Sequence, residues 1–406
     1  MSSYYGNSLV TISAAAAPSC EAGFLQPSPR TNDRFFGLPF LSGGGGPGSV
    51  RLLPERKPPS EVIDTRAWTL QEGLMATRLV SIGEDRISWS CLSADYGEIK
   101  ISHLRNLFHK AKTLSMAVPE ISELLGETLD SASLMRLQYL DAWHEIACEY
   151  CERHLSNVAD SLVAISGIAS EFSALIQDRT LLPPYGEPRT PIYAAGLWGL
   201  TCLPLQLLWE QSLPRPPEYE WQYTNKSSYV APSWSWAATR AGLRRHKENY
   251  LIWLAGARTD KFNILSCDVE LRDKSAPFGA LCSAYMMVRG PTFKTNLESI
   301  FDPEDGQRYD ITVNLDAVCL ISSQSELLSF RSSIPDGALG SVTLLQIVSS
   351  PAITVKRRNM EDFPRGLVLS ENVDGSYQRL GVYFEVYSRR SINRGVPWEE
   401  KKLRLV

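Results

Sequence analysis

The second half of the sequence consists of short apolar runs separated by turn residues. Between residues 251 and 386 these runs include LIWLAGA, CDVELR, AYMMVRG, DITVNL, AVCLIS, SVTLLQIVSS, RGLVLSE and RLGVYFEV. Runs of this length, rich in Val, Ile and Tyr and bounded by turn-forming residues, favour β-strands. Their regular recurrence predicts an antiparallel sandwich or barrel.

The middle of the chain has a helical period instead. ASLMRLQYLDAWHEIACEYCERHL and VADSLVAISGIASEFSALIQ repeat apolar residues every three to four positions. Asn157 is placed to cap the second of these helices, with Asp160 as its capping partner. We therefore expect an α+β protein with three regions: residues 1–98, which include a Gly/Pro-rich loop at 31–62; a helical region at 99–212; and a β-rich antiparallel region at 213–406.

Composition excludes several classes of protein. The chain has 406 residues, 44% hydrophobic and 21% charged, as is ordinary for a globular protein. Because the formal net charge is -4, we expect no nucleic acid among the partners, and composition leaves any protein partner unknown. Eight scattered cysteines indicate reduced thiols in a cytoplasmic protein rather than a disulfide framework. The uncharged stretch 191–209 has the length of a membrane span, but its internal Pro, Gln and Gly residues favour a buried segment, so no span is expected.

The N-terminal region predicts a small unit of helices and strands. Residues 1–19 have the pattern of a helix end followed by a short apolar strand, and Asp64 is placed to cap a helix in TRAWTLQEGLM. Four residues of that helix share one face: Trp68, Gln71, Glu72 and Met75. RLVSI and RISWSC predict a hairpin in which serines alternate with Ile82, Ile87 and Trp89, so that one face packs inward.

No standard catalytic signature occurs in the sequence, and no cofactor is predicted. The GGGGPG stretch at 43–48 matches G-x-G-x-x-G only because of its consecutive glycines, so it predicts a loop. The best candidate for a metal site is WHEIACEYCERHL, in which four potential ligands follow one stripe of a helix: His144, Cys148, Cys151 and His154. A single straight helix cannot place four ligands around one ion, so metal binding would need ligands from elsewhere. A packed helix face is the favoured interpretation over metal or redox chemistry.

Two aromatic groups have a structural and a functional interpretation. Trp68 can anchor a core while Gln71 and Glu72 bond to nearby backbone, or the three can line a site. Trp234 and Trp236 are predicted on one side of an extended strand, where packing is the default and a stacking platform is the alternative. The structural interpretation is favoured in both cases.

A series of short motifs carries the strongest functional signal. Arg66-Ala67-Trp68-Thr69-Leu70-Gln71-Glu72, followed by Trp89-Ser90-Cys91 at the end of the hairpin, resembles the R-x-W-x-x-Q-E and W-x-C motifs that close the fungal heterokaryon-incompatibility (HET) domain. The matching residues in this block are Arg66, Trp68, Gln71, Glu72, Trp89 and Cys91.

The resemblance continues to about residue 240. Trp143–Arg153 is similar to the family's W…Y-S-R-R helix, although Cys151 and Glu152 replace the usual Ser and first Arg. Three later stretches resemble D-K-L-x-A-L-S-G-I-A, Y-x-A-G-L-W…L-L-W and A-P-S-W-S-W-A. Their matching residues include Asp160, Gly167, Trp198, Trp209, Pro232, Trp234 and Trp236.

The first residues also resemble part of the family pattern. Met1–Pro18 is similar to M-x-x-I-Y-x-N-A-x-x-T-I-A-A-A-x-A, and Gly23–Leu25 is similar to the G-F-L turn. In the family two earlier blocks precede this stretch, one resembling L-S-Y-x-W-G and one W-I-D-A-I-C-I-N-Q, and neither is present. We therefore expect a chain truncated inside the HET domain, with a partial α/β, TIR-like remnant at its N-terminus.

The resemblance implies a role in fungal non-self recognition, in which the HET domain triggers programmed cell death. A partial domain leaves an unpaired sheet edge and an open face, so we expect a protein that acts through protein contacts rather than as an enzyme. The alternative is a TIR-like nucleotide (NAD) hydrolase with Glu72 as its carboxylate, and a third possibility is a decayed, non-functional copy. No feature of the β-rich region identifies a ligand.

Overall fold

The computed structural model combines helices with a large antiparallel sheet, which confirms the α+β class. It describes residues 2–25, 36–41, 43–44, 46–52, 61–84, 87–96, 101–113, 131–178, 193–199, 203–212, 229–239, 242–244, 257–259, 261–297, 311–316, 320–321, 341–348, 350–351, 365–385 and 396–406. The chain divides into two compact units, Met1–His109 and Lys110–Val406.

The first unit contains three helices and six strands among its described residues. In chain order they are α1 (Ser2–Gly6), β1 (Thr11–Ser13), β2 (Phe36–Leu41), β3 (Pro47–Leu52), α2 (Ala67–Met75), β4 (Arg78–Ile82), β5 (Ile87–Cys91), β6 (Asp95–Tyr96) and α3 (Ser102–Thr113). The predicted N-terminal helix and strand are confirmed, as is the β4–β5 hairpin.

Two local predictions in this unit are wrong. The Gly/Pro-rich stretch contains a hairpin, because β2 and β3 pair antiparallel from Phe36–Leu52 to Leu41–Pro47. Gly43, Gly44 and Gly46 lie in the connection between the strands, whereas Gly48 is part of β3. Asp64 does not cap α2. It lies in a 3₁₀ turn, Val62–Thr65, where its carboxylate accepts the Glu61 N–H at 3.1 Å, and the residue that begins α2 is Arg66.

Four strands of the first unit form one mixed sheet in the order β1-β4-β5-β6. β1 runs parallel to β4, whereas the other neighbours are antiparallel. The register aligns one row of side chains across the whole sheet: Ile12, Val80, Trp89 and Tyr96. Since paired residues point to the same side of a sheet, this row belongs to one face.

The helices of the second unit are α4 (Ser131–Cys151), α5 (Ser166–Asp178) and the short α6 (Leu203–Gln206). The helix predicted from Val158 begins only at Ser166 and is preceded by two 3₁₀ turns, Val158–Asp160 and Val163–Ile165. Asn157 caps the first turn by accepting the Ala159 N–H at 3.1 Å. The Ser161 carbonyl accepts the Tyr150 hydroxyl at 2.6 Å, so a tertiary contact uses an oxygen that a continuous helix would need.

The uncharged stretch 191–209 is mostly buried where it is described, with Gly199, Pro204 and Gln206 partly exposed. It forms a minimal hairpin of β7 (Tyr193–Ala194) and β8 (Leu197–Trp198), followed by α6. The turn residues Ala195 and Gly196 both have positive φ, 48° and 96°, which is the twist that two-residue hairpins require. None of the helices within the described part of the chain combines the length and apolar composition of a membrane-spanning helix.

The large sheet of the second unit contains most of the predicted strands. They are β10 (Asn263–Leu271), β11 (Leu281–Asn296), β12 (Ile311–Leu315), β13 (Leu320–Ile321), β14 (Ser341–Val348), β16 (Arg365–Glu371), β17 (Tyr377–Glu385) and β18 (Glu399–Leu405). A separate short pair joins β9 (Ala257–Arg258) to β15 (Ser350–Pro351). Most of the LIWLAGA run lies outside the described residues.

Five of these strands close into a barrel. β11 pairs with β14, β14 with β16, and β16 with β17, and β18 then joins β17 back to β11. β14 is buried on both faces apart from its first residue, which explains why the apolar residues of SVTLLQIV do not alternate with exposed polar ones; its two internal polar residues, Thr343 and Gln346, are buried as well. The predicted antiparallel architecture is therefore confirmed, with one parallel contact between β17 and β18.

Candidate functional site

The mixed sheet of the first unit has its polar face buried and its apolar face open. On one side Leu79, Ser81, Ser88 and Ser90 are all buried. On the other, Ile12 is 61%, Ile87 70% and Tyr96 69% exposed, while Val80, Ile82 and Trp89 are partly buried. The hairpin thus has one inward face, as predicted, but that face is the one that carries the serines. We call the six residues of the other side the open face: Ile12, Val80, Ile82, Ile87, Trp89 and Tyr96.

Arg105 of α3 explains why serines can lie inside. Its side chain is 2% exposed, and its Nε donates to the Ser90 hydroxyl at 2.9 Å. The two terminal nitrogens donate to the carbonyls of Gly73, at the end of α2, and of Ala76 just beyond it. A buried guanidinium therefore satisfies the C-terminal carbonyls of α2 and fixes both helices on the serine side. Nothing in the sequence identified Arg105 as part of this arrangement.

The R-x-W-x-x-Q-E residues occupy three different environments on α2. Arg66 begins the helix and is exposed, whereas Gln71 is 1% exposed and belongs to the core. Trp68 and Glu72 are intermediate. The predicted face of Trp68, Gln71, Glu72 and Met75 is therefore not uniformly buried, since only Gln71 and Met75 are fully enclosed. Other buried residues lie on the remaining sides of α2.

Glu72 has a perturbed environment that involves α1. Burial raises the pKa of Glu72, while a hydrogen bond from the Tyr5 hydroxyl and the positive charge of Arg66 lower it in part. Burial and the Glu72 carboxylate together raise the pKa of Tyr5. Tyr5, Glu72 and Arg66 thus form a half-buried acid with one hydroxyl donor and one cation, a set that can hold or release a proton.

Cys91 ends β5 on the same side as the open face. Hydrogen bonds from the Ser93 backbone and then from the Trp89 side chain lower the pKa of Cys91. Its register partner on β4 is Arg78, whose exposed side chain donates to the Leu9 carbonyl at 3.4 Å. One end of the open face therefore carries a cation beside a thiol whose pKa is lowered.

The motif residues of the second unit lie in its interior. Trp198, Trp209, Pro232, Trp234 and Trp236 are buried, Asp160 is intermediate, and Gly167 is a partly buried residue in the first turn of α5. The predicted W-S-W strand is wrong: Trp236–Ala238 is a 3₁₀ turn capped by Ser235, which accepts the Ala237 N–H at 3.0 Å. Burial favours the packing interpretation for both tryptophans over a stacking platform.

One carbonyl joins three of these motifs. The Gly196 oxygen accepts the indole N–H of Trp143 and that of Trp236, each at 2.9 Å. The Ser235 hydroxyl donates to the neighbouring Ala195 carbonyl. Helix α4, the β7–β8 turn and the W-S-W turn are therefore connected at a single point of the core.

The candidate metal ligands on α4 are only partly brought together. His144 Nε2 lies 3.4 Å from the Cys148 sulfur and 3.2 Å from the Arg244 carbonyl. Burial raises the pKa of Cys151 well above its ordinary value, which disfavours a reactive thiolate there. Within the described residues, no group of three or more His, Cys, Asp and Glu side chains is placed to hold a metal ion.

No protein-family model matches the chain, and neither a curated protein nor a solved structure matches it at a significant level.

Proposed function

We propose that this chain is a HET-family protein of fungal non-self recognition that acts in the cytoplasm through protein–protein contacts. The observation that carries the proposal is the open face, on which Ile12, Ile87 and Tyr96 are each more than half exposed while serines are buried opposite. Contiguous exposed apolar surface of this kind is characteristic of interaction sites. The motif resemblance supports the family, and the mixed α/β arrangement supports a TIR-like remnant.

The proposed function predicts that the open face is needed for a cell-death response. Expression of the full chain from an inducible promoter in a filamentous fungus is expected to reduce colony growth and to increase vital-dye uptake several-fold. Ile87→Lys should abolish the response, because a charge on the apolar face, at the most exposed of its isoleucines, prevents burial against a partner. Immunoblotting must show that all variants accumulate equally.

The matched control is Val373→Lys, which adds the same charge at a fully exposed apolar residue of the β16–β17 turn. This control should kill as efficiently as the unaltered chain. If the unaltered chain has no effect on growth, or if Ile87→Lys retains full activity, the proposed function is wrong.

A second candidate function is nucleotide hydrolysis at Glu72, which is favoured by the raised pKa of this carboxyl and by its bond to Tyr5. Purified chain should then release nicotinamide from NAD, and Glu72→Gln should abolish release, because the amide cannot take up a proton. The exposed Glu84→Gln serves as the control and should leave the rate unchanged. Absence of release by the unaltered chain would eliminate this function.

A further inference from the structure

The register of the mixed sheet makes the open face complementary to itself. A two-fold axis parallel to the strands, lying above the sheet between β4 and β5, exchanges these two strands between copies and also exchanges β1 with β6. Each residue of β4 or β5 then lies opposite its own register partner from the other copy, and every contact is reciprocal, as in an isologous interface. Two stacked sheets are about 10 Å apart, a distance that side chains of this size can fill.

The side chains that meet across this axis match in size. Val80 would lie opposite Trp89 of the other copy, and Ile12 opposite Tyr96, so each smaller aliphatic residue receives an aromatic ring. Ile82 would lie opposite Ile87. Every contact occurs twice, and aromatic rings at the centre of an interface are the groups that contribute most to affinity.

The charges on this face also match. Arg78 is the charged side chain in the paired rows of this side, and the axis places it opposite Cys91 of the other copy rather than opposite a second arginine. The Cys91 thiol donates to the Ala94 carbonyl at 3.4 Å, so the group opposite Arg78 is an uncharged sulfur rather than a second cation. Arg78 therefore faces the Cys91 thiol twice, once on each side of the axis and at the same end of the strands, and no two arginines meet there, where like charges would oppose pairing.

We infer that the open face binds a second copy of this chain, with β4 opposite β5 about a two-fold axis. This inference deepens the proposed function, because it names the partner of the same surface. Four strands about 4.8 Å apart and five residues of about 3.4 Å give a face on the order of 15 Å by 17 Å. Such a face is smaller than the roughly 800 Å² per partner of a stable complex, so the dimer is reversible.

Sedimentation velocity of the full chain tests the inference between about 2 and 500 µM, the range of weak interfaces. The unaltered chain should shift from monomer to dimer across this range. Ile87→Lys should remain monomeric, whereas Val373→Lys should dimerise like the unaltered chain. A monomer at every concentration, or a dimer that Ile87→Lys leaves intact, would overturn the inference.

Cysteine cross-linking tests the geometry independently. Ile12 and Tyr96 lie on opposite edges of one sheet, too far apart for a disulfide within a chain, but the axis brings them together between chains. Under mild oxidation, the double variant Ile12→Cys/Tyr96→Cys should form a covalent dimer, and neither single variant should do so above the background of the natural cysteines. Equal cross-linking in the single variants would contradict this axis.

The two proposals can fail separately. A chain that stays monomeric but still kills cells in a manner that depends on Ile87 would overturn self-pairing and keep the proposed function. A chain that dimerises through Ile87 but does not affect growth would keep self-pairing and overturn the proposed function.

Discussion

Arg379→Met is expected to destabilise the second unit by about 3–5 kcal/mol, which is the usual cost of breaking a buried ion pair. Arg379 is 6% exposed and makes a two-point contact with Asp316, from Nε at 2.6 Å and from Nη2 at 3.0 Å. Methionine approximates the aliphatic part of the side chain but leaves the Asp316 carboxylate buried without its cation. The penalty therefore comes mainly from the partner that remains.

Arg379 also binds backbone groups far away in the sequence. Its guanidinium donates to the carbonyls of Leu207 and Trp209 and lies 3.4 Å above the Trp209 ring. Its own N–H donates to the Ser233 hydroxyl at 2.9 Å, and Ser233 in turn donates to the Val406 carbonyl. The side chain thus joins the L-L-W motif to the barrel, and the Trp209 indole donates in turn to the Trp234 carbonyl at 3.0 Å. Its loss should therefore loosen the L-L-W motif directly and the W-S-W motif through Trp209.

The measurement is urea unfolding of the full chain, followed by tryptophan fluorescence. Arg404→Met is the matched control, because Arg404 also lies over an aromatic ring, Tyr285 at 4.7 Å, but is exposed. An exposed cation–π contact contributes only about 0.5–1 kcal/mol, so the control should unfold almost like the unaltered chain. If the two variants unfold at the same urea concentration, Arg379 does not hold these motifs to the barrel.

Arg379 and Arg105 also show what sequence patterns cannot predict. Both arginines are buried, and both bind main-chain carbonyls, which carry no sequence signature. The Arg379 partners lie 172 and 170 residues away, and the Arg105 partners 32 and 29 residues away. Periodicity reports which face of an element is apolar, but it does not report which distant carbonyl lacks a donor.

The strands illustrate where periodicity succeeds and where it fails. The barrel strands were predictable because each carries a short apolar run bounded by polar or turn residues, as in β14 and β16. β18 was missed because EEKKLRL is mostly charged, and only Leu403 and Leu405 point into the core. It forms a strand because β11 and β17 offer it pairing partners, which is a tertiary effect.

The sequence predicts that the β4–β5 hairpin has two different faces, but it does not predict which face is buried. The alternation of Ser88 and Ser90 with Ile87 and Trp89 correctly predicts a two-sided strand. Hydrophobicity alone would bury the isoleucine side. The serines are buried instead because Arg105 gives Ser90 a hydrogen-bond partner, and because α2 and α3 pack on that side. The open face is consequently visible only in three dimensions.

Gly196→Ala is expected to destabilise the second unit by about 3 kcal/mol or more, from two separate sources. The φ of Gly196 is 96°, a conformation that strains any residue with a β-carbon. The added carbon would also lie 2.8 Å from Trp236 Cε2, which is closer than van der Waals contact allows. Trp236 cannot easily retreat, since its indole donates to the Gly196 carbonyl and its ring packs edge-on against Tyr150.

Gly375→Ala separates these two sources. Gly375 has a similar positive φ of 78°, but nothing lies within 4 Å of the position that its β-carbon would take. It should therefore show the backbone strain alone, about 1–2 kcal/mol, and unfold at a higher urea concentration than Gly196→Ala. Equal losses of unfolding free energy in the two variants would mean that Trp236 moves to make room for the methyl group. The shared Gly196 carbonyl would then not hold the α4 and W-S-W motifs rigidly. A larger loss at Gly196 would establish that the Y-x-A-G-L-W turn and the W-S-W turn are fitted to each other.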